Sequence, residues 1–293
     1  EAALLLIEKE RITSFSGVPT MSWELLQSPN VDKYDLSSLQ DLSAGGAFRP
    51  PEHVKALKEK FPTKNPSAGY GLTETNALGC ASGGENYLLT PASTGGPTPP
   101  VLERRLVDEN DDGGPTGERG EILLRGPMNV RGYWNKPEAT GEAFSKDGWF
   151  RTGDLGKLTI TGELILTGRS KEIIVLASGE NIDPSRIEGA IGQLPFVNDA
   201  VLVGQDRKGL AALIVPDWEK LKDFMIERFE LTSEKAEDLH KDGALRDRVK
   251  NEINRLLQAK NGFKPYEKLQ KIDFLKHEFT VGEELTNTFK KRR

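Results

Sequence analysis

The first eighty residues alternate helical stretches with short extended runs that end on glycine. In chain order, the predicted elements are a helix at Glu1–Lys9, an extended run at Ile12–Phe15, a helix at Met21–Leu26, an extended run at Leu39–Ala44, a helix at Pro51–Phe61 and an extended run at Ser67–Gly71. Helices and strands in alternation bury their apolar sides against each other as layers. We therefore predict an α/β layer over residues 1–89, with ligands expected at the glycine-bearing strand ends.

The middle of the chain has a different pattern, in which glycine and proline separate short runs of alternating polar and apolar residues. These runs lie at Val101–Val107, Glu121–Arg125 and Glu163–Thr167. Alternation with a period of two, between turn residues, is typical of β-strands. The sequence predicts a β-rich subdomain over residues 90–168, a small barrel or curled sheet, so that residues 1–168 form the larger of two domains.

Residues 169–293 combine helices and strands in a smaller α+β domain. We predict strands at Glu172–Ala177, Asp199–Gly204 and Leu210–Val215, and a helix at Pro184–Ile191. The clearest element is an amphipathic helix at Asp242–Lys260. Its apolar stripe is formed by Leu245, Val249, Ile253, Leu256 and Leu257. Apolar residues at this spacing face a core, and we assign them no other role.

Charge, cysteine content and hydropathy exclude several classes of protein. The 293 residues carry 40 Lys and Arg against 45 Asp and Glu, and the net charge of −5 argues against a dedicated nucleic-acid or anionic-membrane binder. The single cysteine, Cys80, excludes an intramolecular disulfide framework and a cysteine-rich zinc site. The apolar run Ala2–Ile7, which no other apolar run exceeds in length, is far shorter than the roughly 20 residues that cross a bilayer. We expect a cytoplasmic protein without a transmembrane segment, with peripheral membrane contact as the alternative.

The string at 67–75, Ser-Ala-Gly-Tyr-Gly-Leu-Thr-Glu-Thr, carries groups that suit a nucleotide. Gly71 lets the backbone pass close to a ligand, and Tyr70 offers a flat face to a base. Thr73 can donate its hydroxyl to a phosphate oxygen, and the carboxylate of Glu74 suits Mg²⁺, which prefers oxygen ligands. Taken alone, the same string also fits a tight turn in which Tyr70 packs and the Thr-Glu pair caps a helix.

Three further strings place charged side chains at turns or strand ends. Arg-Thr-Gly-Asp-Leu-Gly at 151–156 sets Asp154 on a glycine-flanked turn, where its carboxylate can accept both hydroxyls of a ribose; an Asx-turn is the ordinary alternative. Gly-Arg-Ser-Lys-Glu-Ile-Ile-Val at 168–175 sets Arg169 and Lys171 at the head of a buried strand. Lys290 ends the string Leu-Thr-Asn-Thr-Phe-Lys, where a solvated basic tail is the alternative.

In this order and spacing, the strings resemble the adenylate-forming, or AMP-binding, superfamily. The strings that carry the resemblance are Gly-Tyr-Gly-Leu-Thr-Glu at 69–74, Gly-Glu-Arg-Gly-Glu-Ile at 117–122, Tyr-Trp-Asn-Lys-Pro-Glu-Ala-Thr at 133–140, Gly-Trp-Phe-Arg-Thr-Gly-Asp at 148–154, Gly-Arg-Ser-Lys-Glu-Ile-Ile at 168–174 and Thr-Phe-Lys at 288–290. That superfamily includes acyl-CoA synthetases, firefly luciferase and peptide-synthetase adenylation domains. Within it, the string at 174–182 and the closing Leu-Thr-x-Thr-Phe-Lys look most like long-chain fatty acyl-CoA synthetases.

The resemblance implies a role for each matching position of the larger domain. Gly45, Gly46 and Ala47 would line the adenine and acyl pocket, and Tyr70, followed by Gly71, would stack on adenine. The remaining positions would hold phosphate, metal and sugar: Thr73 on the α-phosphate, Glu74 on Mg²⁺, and Asp154 on the ribose hydroxyls with help from Arg169.

For the smaller domain, the resemblance implies a catalytic lysine and a hinge. Lys290 matches the lysine that reaches the reacting carboxylate and the α-phosphate, and Lys171 stands at the hinge position. Gly179 would lie on the segment that lines the pantetheine tunnel. Rotation about Lys171 after adenylate formation would withdraw Lys290 and admit the thiol.

The activity implied is ATP-dependent, AMP-forming activation of a fatty acid, with Mg²⁺ as cofactor and transfer of the acyl group to CoA. Acyl–acyl-carrier-protein synthetases are the close alternative, and a non-catalytic AMP- or CoA-binding module is the alternative from another class. The superfamily also carries an upstream Ser/Thr/Gly-rich loop that ends in Pro-Lys-Gly and cradles the β- and γ-phosphates, and no such string occurs in this sequence. We therefore expect this chain to be the C-terminal portion of an enzyme and to be inactive by itself. Its expected partner is the missing N-terminal half, or a second copy of the chain that pairs at an exposed sheet edge.

Overall fold

The computed structural model describes residues 1–47, 49, 51–61, 65–77, 79–97, 101–108, 110–114, 116–229, 243–280 and 282–283, without the side chains of Glu52 and Pro97. The chain divides into two compact units, Glu1–Ser170 and Lys171–Arg293. Within the described ranges, every helix falls short of the length and apolar character that crossing a bilayer requires.

The first unit begins with a five-stranded sheet and its helices. In chain order these elements are α1 (Ala2–Lys9), β1 (Ser14–Gly17), α2 (Pro19–Gln27), β2 (Asp41–Gly45), α3 (Pro51–Lys60), β3 (Asn65–Tyr70), β4 (Cys80–Gly83), α4 (Gly84–Leu89) and β5 (Gly96–Pro97). The strand order is β1-β2-β3-β4-β5, with β1, β2 and β3 parallel and the last two strands antiparallel.

Apolar residues one helical turn apart explain how the helices pack on this sheet. Leu4 and Ile7 of α1 lie on one face, and both are buried in a cluster with Leu42 of β2 and Leu57 of α3. Helix α2 begins at Pro19, whose fixed φ suits the first position of a helix. The predicted α/β layer is thereby confirmed.

A second, antiparallel sheet completes the first unit. Its elements are β6 (Glu103–Val107), β7 (Gly120–Arg125), α5 (Pro137–Ala143), β8 (Phe150–Leu158) and β9 (Leu164–Arg169), with the strands in sequence order. Strand β7 is buried on both faces: Ile122 and Leu124 pack in the cluster that holds Tyr70, whereas Leu123 packs with Trp149. The β-rich pattern of the sequence is therefore an open four-stranded sheet, one of whose faces packs on the end of β3.

The second unit has its own core. Its elements are β10 (Ile174–Val175), β11 (Asn181–Ile182), α6 (Pro184–Ile191), β12 (Val197–Val203), β13 (Leu210–Pro216), α7 (Trp218–Phe229), α8 (Gly243–Leu256) and β14 (Leu269–Phe274). The three long strands form a sheet in the order β12-β13-β14, and the helices bury their apolar sides in one cluster with it. Helix α6 spans the predicted residues, because Asp183 caps its first turn by accepting from the N–H of Ser185 at 3.0 Å.

Two predicted elements of the second unit differ from the structure. In the stretch predicted as a strand at Glu172–Ala177, Glu172 ends a 3₁₀ turn, Ser170–Glu172, and Ile174–Val175 form the two-residue strand β10, which among the described strands pairs with the short β11 alone. The helix predicted to Lys260 ends at Leu256, and a separate 3₁₀ turn, Ala259–Asn261, is followed by Gly262 with a φ of +82°. Leu256 is half-buried, whereas the other four residues of the predicted stripe are buried.

Candidate active site

The carboxyl ends of the parallel strands β2 and β3 lie side by side. Gly45 and Gly69 are register partners there, and a side-chain carbon on Gly45 would lie 3.1 Å from the carbonyl oxygen of Gly69. Gly46 follows with a φ of +80°, a left-handed conformation that glycine adopts without strain, and Ala47 is exposed. The predicted loop 45–47 is thus nearly free of side chains at the sheet edge where α/β proteins bind ligands.

Tyr70, the last residue of β3, connects this edge to the second sheet. Its ring is buried, and its hydroxyl donates to Oδ2 of Asp154 in β8 over 2.8 Å. Oδ1 of the same carboxylate accepts from Nε of Arg169 at 2.9 Å, and Arg169 is the register partner of Asp154 in β9. The structure therefore brings three predicted site residues, from three strands, together around one carboxylate.

Burial keeps the Tyr70 phenol protonated. It raises the pKa of the Tyr70 phenol well above its usual range, and the negative charge of Asp154 raises it further. The phenol therefore stays protonated at neutral pH and remains a donor to Asp154. The Asp154 side chain is 11% exposed, and a carboxylate offers about four acceptor positions, of which these two bonds use half.

Asp154 does not lie on a turn, as the sequence predicted, but inside strand β8 at an irregularity. The β7–β8 register shifts between Glu121 and Leu123, which sets three residues of β8 opposite Ile122 alone. Gly153 takes a φ of +70° within this bulge. Two extra residues keep the alternation of side chains, so Asp154 is buried on the same side of β8 as Phe150 and Gly156, the side on which Ile122 and Leu124 of β7 pack with Tyr70.

The chain leaves β3 through Gly71 and one 3₁₀ turn, Thr73–Thr75. The residue that stabilises this turn is Thr75, which is fully buried and whose Oγ1 accepts from the N–H of Leu72 at 3.1 Å. Thr73 is exposed and Glu74 is half-buried. Of the alternative stated for this string, the packing of Tyr70 is confirmed, whereas capping by the Thr-Glu pair is wrong, because Thr75 makes the capping hydrogen bond.

Tyr133 is a contact of the site that sequence reasoning missed. Its hydroxyl donates to Oε1 of Glu74 at 2.8 Å, and the carbonyl oxygen of Glu74 accepts from the N–H of Val130 at 2.8 Å. Partial burial and the Glu74 carboxylate raise the pKa of Tyr133 to about 12, so it donates rather than accepts. The string at 133–140 contained this residue, but nothing in one sequence tied it to Glu74.

The chemistry of Glu74 fits a Mg²⁺ ligand. Tyr133 occupies one carboxylate oxygen, and the second oxygen provides the hard donor that Mg²⁺ prefers. Among the described residues, no group of three or more His, Cys, Asp and Glu side chains is placed to hold a metal ion. Mg²⁺ commonly takes one or two protein carboxylates together with phosphate oxygens and water, so a single carboxylate suffices if a nucleotide supplies the rest.

Three predicted residues belong to the second unit. Lys171 is exposed in the 3₁₀ turn Ser170–Glu172. Gly179 is exposed in the turn between β10 and β11, with a φ of +91°, and its N–H donates to the carbonyl oxygen of Leu176 at 2.8 Å. Lys290 lies outside the described residues. The roles implied for these three residues remain predictions.

Both units match known families. Residues 1–134 match the sequence profile described as AMP-binding enzyme, and residues 171–279 match the AMP-binding enzyme C-terminal domain. A 4-coumarate–CoA ligase 1 of Glycine max is 34% identical over 204 residues, which are 68% of this chain and 69% of that protein. The chain belongs to the AMP-binding enzyme family. The resemblance to the adenylate-forming superfamily is thereby confirmed.

Other members of the AMP-binding enzyme family are similar over a smaller share of their length. The mitochondrial medium-chain acyl-CoA ligase ACSF2 of Macaca fascicularis is 34% identical over 212 residues, and a long-chain-fatty-acid–CoA ligase of Bacillus subtilis is 36% identical over 203 residues. These alignments cover 71% and 69% of this chain, but 34% and 35% of the relatives. The chain thus matches about a third of their length.

A solved structure supports the fold assignment. ATP-bound MatB from Rhodopseudomonas palustris superposes with a TM-score of 0.69 and 25% sequence identity, covering 94% of this chain and 49% of MatB. The chain therefore has the fold of about half of MatB.

Proposed function

We propose that this chain supplies the adenylate-binding part of an ATP-dependent, AMP-forming acyl-CoA ligase that activates a fatty acid. The observation that carries the proposal is the Asp154 carboxylate, held between Tyr70 and Arg169 beside a glycine-lined sheet edge. A carboxylate with two fixed donors and unused lone pairs can accept both hydroxyls of a ribose. Membership in the AMP-binding enzyme family and the likeness to an ATP-bound relative support this choice of ligand.

The base would lie at the loop 45–47, beside Tyr70 and Gly71. Gly45 and Gly46 carry no side chain, so a flat ring can approach the backbone there as closely as van der Waals contact allows. Tyr70 would serve the nucleotide in two ways, since its ring borders the base and its hydroxyl orients the carboxylate that binds the sugar.

Adenylate formation requires positive charge near the α-phosphate. A carboxylate that attacks this phosphate brings negative groups together, so catalysis rests on donors and cations placed around them. The exposed Thr73 hydroxyl is assigned to the α-phosphate, and Glu74, oriented by Tyr133, is assigned to Mg²⁺, which offsets phosphate charge when bound. Lys290 is assigned to the reacting carboxylate, Lys171 to the hinge and Gly179 to the pantetheine tunnel, on the family resemblance alone.

The class of acid is inferred from the names of similar proteins. A medium-chain acyl-CoA ligase and a long-chain-fatty-acid–CoA ligase support a fatty acid, whereas the Glycine max relative is named for 4-coumarate. CoA is preferred as the acceptor because all three are CoA ligases. An acyl carrier protein is the acceptor in the alternative.

Calorimetric titration of a non-hydrolysable lauroyl-adenylate analogue tests the adenylate site. We expect the chain to bind the analogue and Asp154→Ala to weaken binding by roughly 1–3 kcal/mol, the loss expected for a charged hydrogen-bond acceptor. The matched control is Asp112→Ala, since Asp112 is an exposed aspartate of the same unit, in the connection between β6 and β7. Circular dichroism spectra of both variants establish that they are folded.

Two results of the titration would contradict the proposal. Equal affinity in Asp154→Ala and Asp112→Ala would remove Asp154 from the site, and no binding by the unmodified chain would show that it does not hold the site by itself. Titration of a 4-coumaroyl-adenylate analogue in parallel tests the acid class, because a fatty-acid enzyme binds the lauroyl compound more tightly.

A further inference from the structure

The bulge that carries Asp154 is large for a strand interior. Leu155 pairs with Glu121 and Arg151 pairs with Leu123, so residues 152–154 of β8 face a single residue, Ile122, of β7. Without a restraint, the two extra residues could be accommodated in several ways, and each would point residue 154 in a different direction. The contacts that select one arrangement therefore decide where the Asp154 carboxylate lies.

Glu121 spans this bulge with both oxygens of its carboxylate. Oε1 accepts from the backbone N–H of Gly153 at 3.1 Å, and Oε2 accepts from Nη1 of Arg151 at 2.7 Å. Its side chain is only 21% exposed, and Arg151 is also paired with Asp111. Hydrogen bonds to an ionised acceptor are the stronger class, so the chain on both sides of Thr152 is fixed to one side chain of β7.

Thr152 fixes the bulge from within. Its Oγ1 donates to the carbonyl oxygen of Ile122 at 2.7 Å and accepts from the N–H of Asp154 at 3.0 Å. The backbone N–H groups of Gly153 and Asp154 are therefore both held by side chains rather than by the regular ladder.

We propose that Glu121 is the positioning residue of the candidate site: it holds Gly153 and Arg151 so that Asp154 faces Tyr70 and Arg169. This inference rests on the proposed role of Asp154 toward the ribose. Glu121 lies in the string at 117–122, which contributed to the family resemblance but received no role in the chemistry. It acts through the backbone of β8 and needs no contact with the ligand.

Hydrogen exchange tests the restraint itself, without any ligand. Exchange is followed by mass spectrometry on peptides that cover 150–158 in the unmodified chain, Glu121→Ala, Glu121→Gln and Glu103→Ala. Glu103 is the matched control, because it is a strand glutamate of the same sheet that binds an arginine, Arg125, through both oxygens. We expect faster exchange at 150–158 in Glu121→Ala only, since Gln keeps a carbonyl acceptor for the N–H of Gly153.

The ligand arm compares two adenylate analogues, one with the natural ribose and one with a 2′,3′-dideoxyribose. Glu121→Ala should bind the ribose compound about tenfold more weakly, the loss of one charged hydrogen bond, and the dideoxy compound with unchanged affinity. Glu121→Gln should retain most of the ribose affinity. Added to Asp154→Ala, Glu121→Ala should cause no further loss.

Different results overturn the inference and the proposed function. Unchanged exchange at 150–158 in Glu121→Ala, or equal weakening of both analogues, overturns the positioning role. If instead Asp154→Ala does not distinguish the two analogues, the ribose assignment of the proposed function fails, while the exchange data still decide whether Glu121 holds the bulge.

Discussion

Asp154 and His53 show two ways in which one unit buries a polar side chain. Asp154 is surrounded by donors, whereas His53, in α3, is 4% exposed and its Nε2 has no hydrogen-bond partner among the described residues. The His53 ring stands edge-on to Trp23 of α2 at 4.7 Å, and Arg49 lies close enough to repel a proton from it. A buried group of this kind makes stability depend on pH.

Burial and the charge of Arg49 lower the pKa of His53 from 6.5 to about 4. Between pH 6.5 and pH 4, His53 is therefore protonated in the unfolded chain but neutral in the folded chain. The free energy of unfolding consequently has its full value above pH 6.5 and decreases as the pH falls toward 4. Between pH 7 and pH 5, His53 alone should lower the free energy of unfolding by about 2 kcal/mol. Urea unfolding at both pH values measures the loss, and His53→Gln should reduce it by that amount. An equal loss in the variant would contradict the prediction.

At the scale of elements, the irregular strand β8 matters more than the regular ones around it. Regular pairing of β7 and β8 would alternate side chains between the two faces of the sheet. The bulge adds two residues to β8 opposite Ile122 and so keeps that alternation, and the register of β8 with β9 shifts between Leu155 and Gly156. The site is thus built where the sheet is least regular, and its backbone conformation can be tested directly.

Two glycines of the first unit should respond to alanine in opposite directions. Gly153 has a φ of +70°, so Gly153→Ala should cost roughly 1–2 kcal/mol of stability and weaken adenylate binding. Gly141 lies within helix α5, where an added side-chain carbon meets no atom within 4 Å, so Gly141→Ala should stabilise by about 0.4–1 kcal/mol. Thermal unfolding of both variants checks the signs. A stabilising Gly153→Ala would show that the bulge does not need the left-handed conformation.

At the scale of the whole molecule, the buried clusters follow the division into two units. The large cluster that includes Ile187, Ile214, Val249 and Ile272 is formed by residues of the second unit alone. The clusters around Leu42, Ile122 and Leu123 belong to the first unit. A core that is complete within one segment provides the apolar burial that independent folding requires.

We therefore expect residues 171–293, expressed alone, to fold cooperatively. The segment lies within the usual domain size of roughly 50–200 residues, and its sheet pairs only strands of its own unit. Urea unfolding followed by circular dichroism should give one sigmoidal transition. A spectrum with helical content but no cooperative transition would contradict this expectation.

The periodic spacing of apolar residues, together with capping and turn residues, was enough to predict most helices and strands from the sequence. Helix α6 has its predicted bounds because a proline, a capping aspartate and the apolar spacing all act within a few residues. The strand predicted at Glu172–Ala177 failed for a related reason. An apolar run such as Ile173–Leu176 has the composition of a strand, but a long strand also requires a long partner, and among the described strands β10 pairs with the two-residue β11 alone.

The motifs predicted which residues belong to the site, but not which of them contact each other. The strings around Tyr70, Asp154 and Arg169 identified chemistry through residue type and order, and the same strings identified the family that the comparisons confirm. The contacts of Glu121 and Tyr133 were not predictable in this way. Glutamate and tyrosine are common in strands and loops, and their partners lie 32 and 59 residues away in the chain.

Most elements, the α/β and β-rich layers and the family could be predicted from the amino-acid order, because they depend on periodicity and on residues close together in the chain. Long-range pairing was needed to show that Asp154 lies inside a strand, that its carboxylate binds Tyr70 and Arg169, and that Thr75 rather than Thr73 stabilises the turn. Strand register and side-chain direction depend on pairing across long loops, which residues close together in the chain do not fix. A shift of one residue would turn the carboxylate to the other face of the sheet.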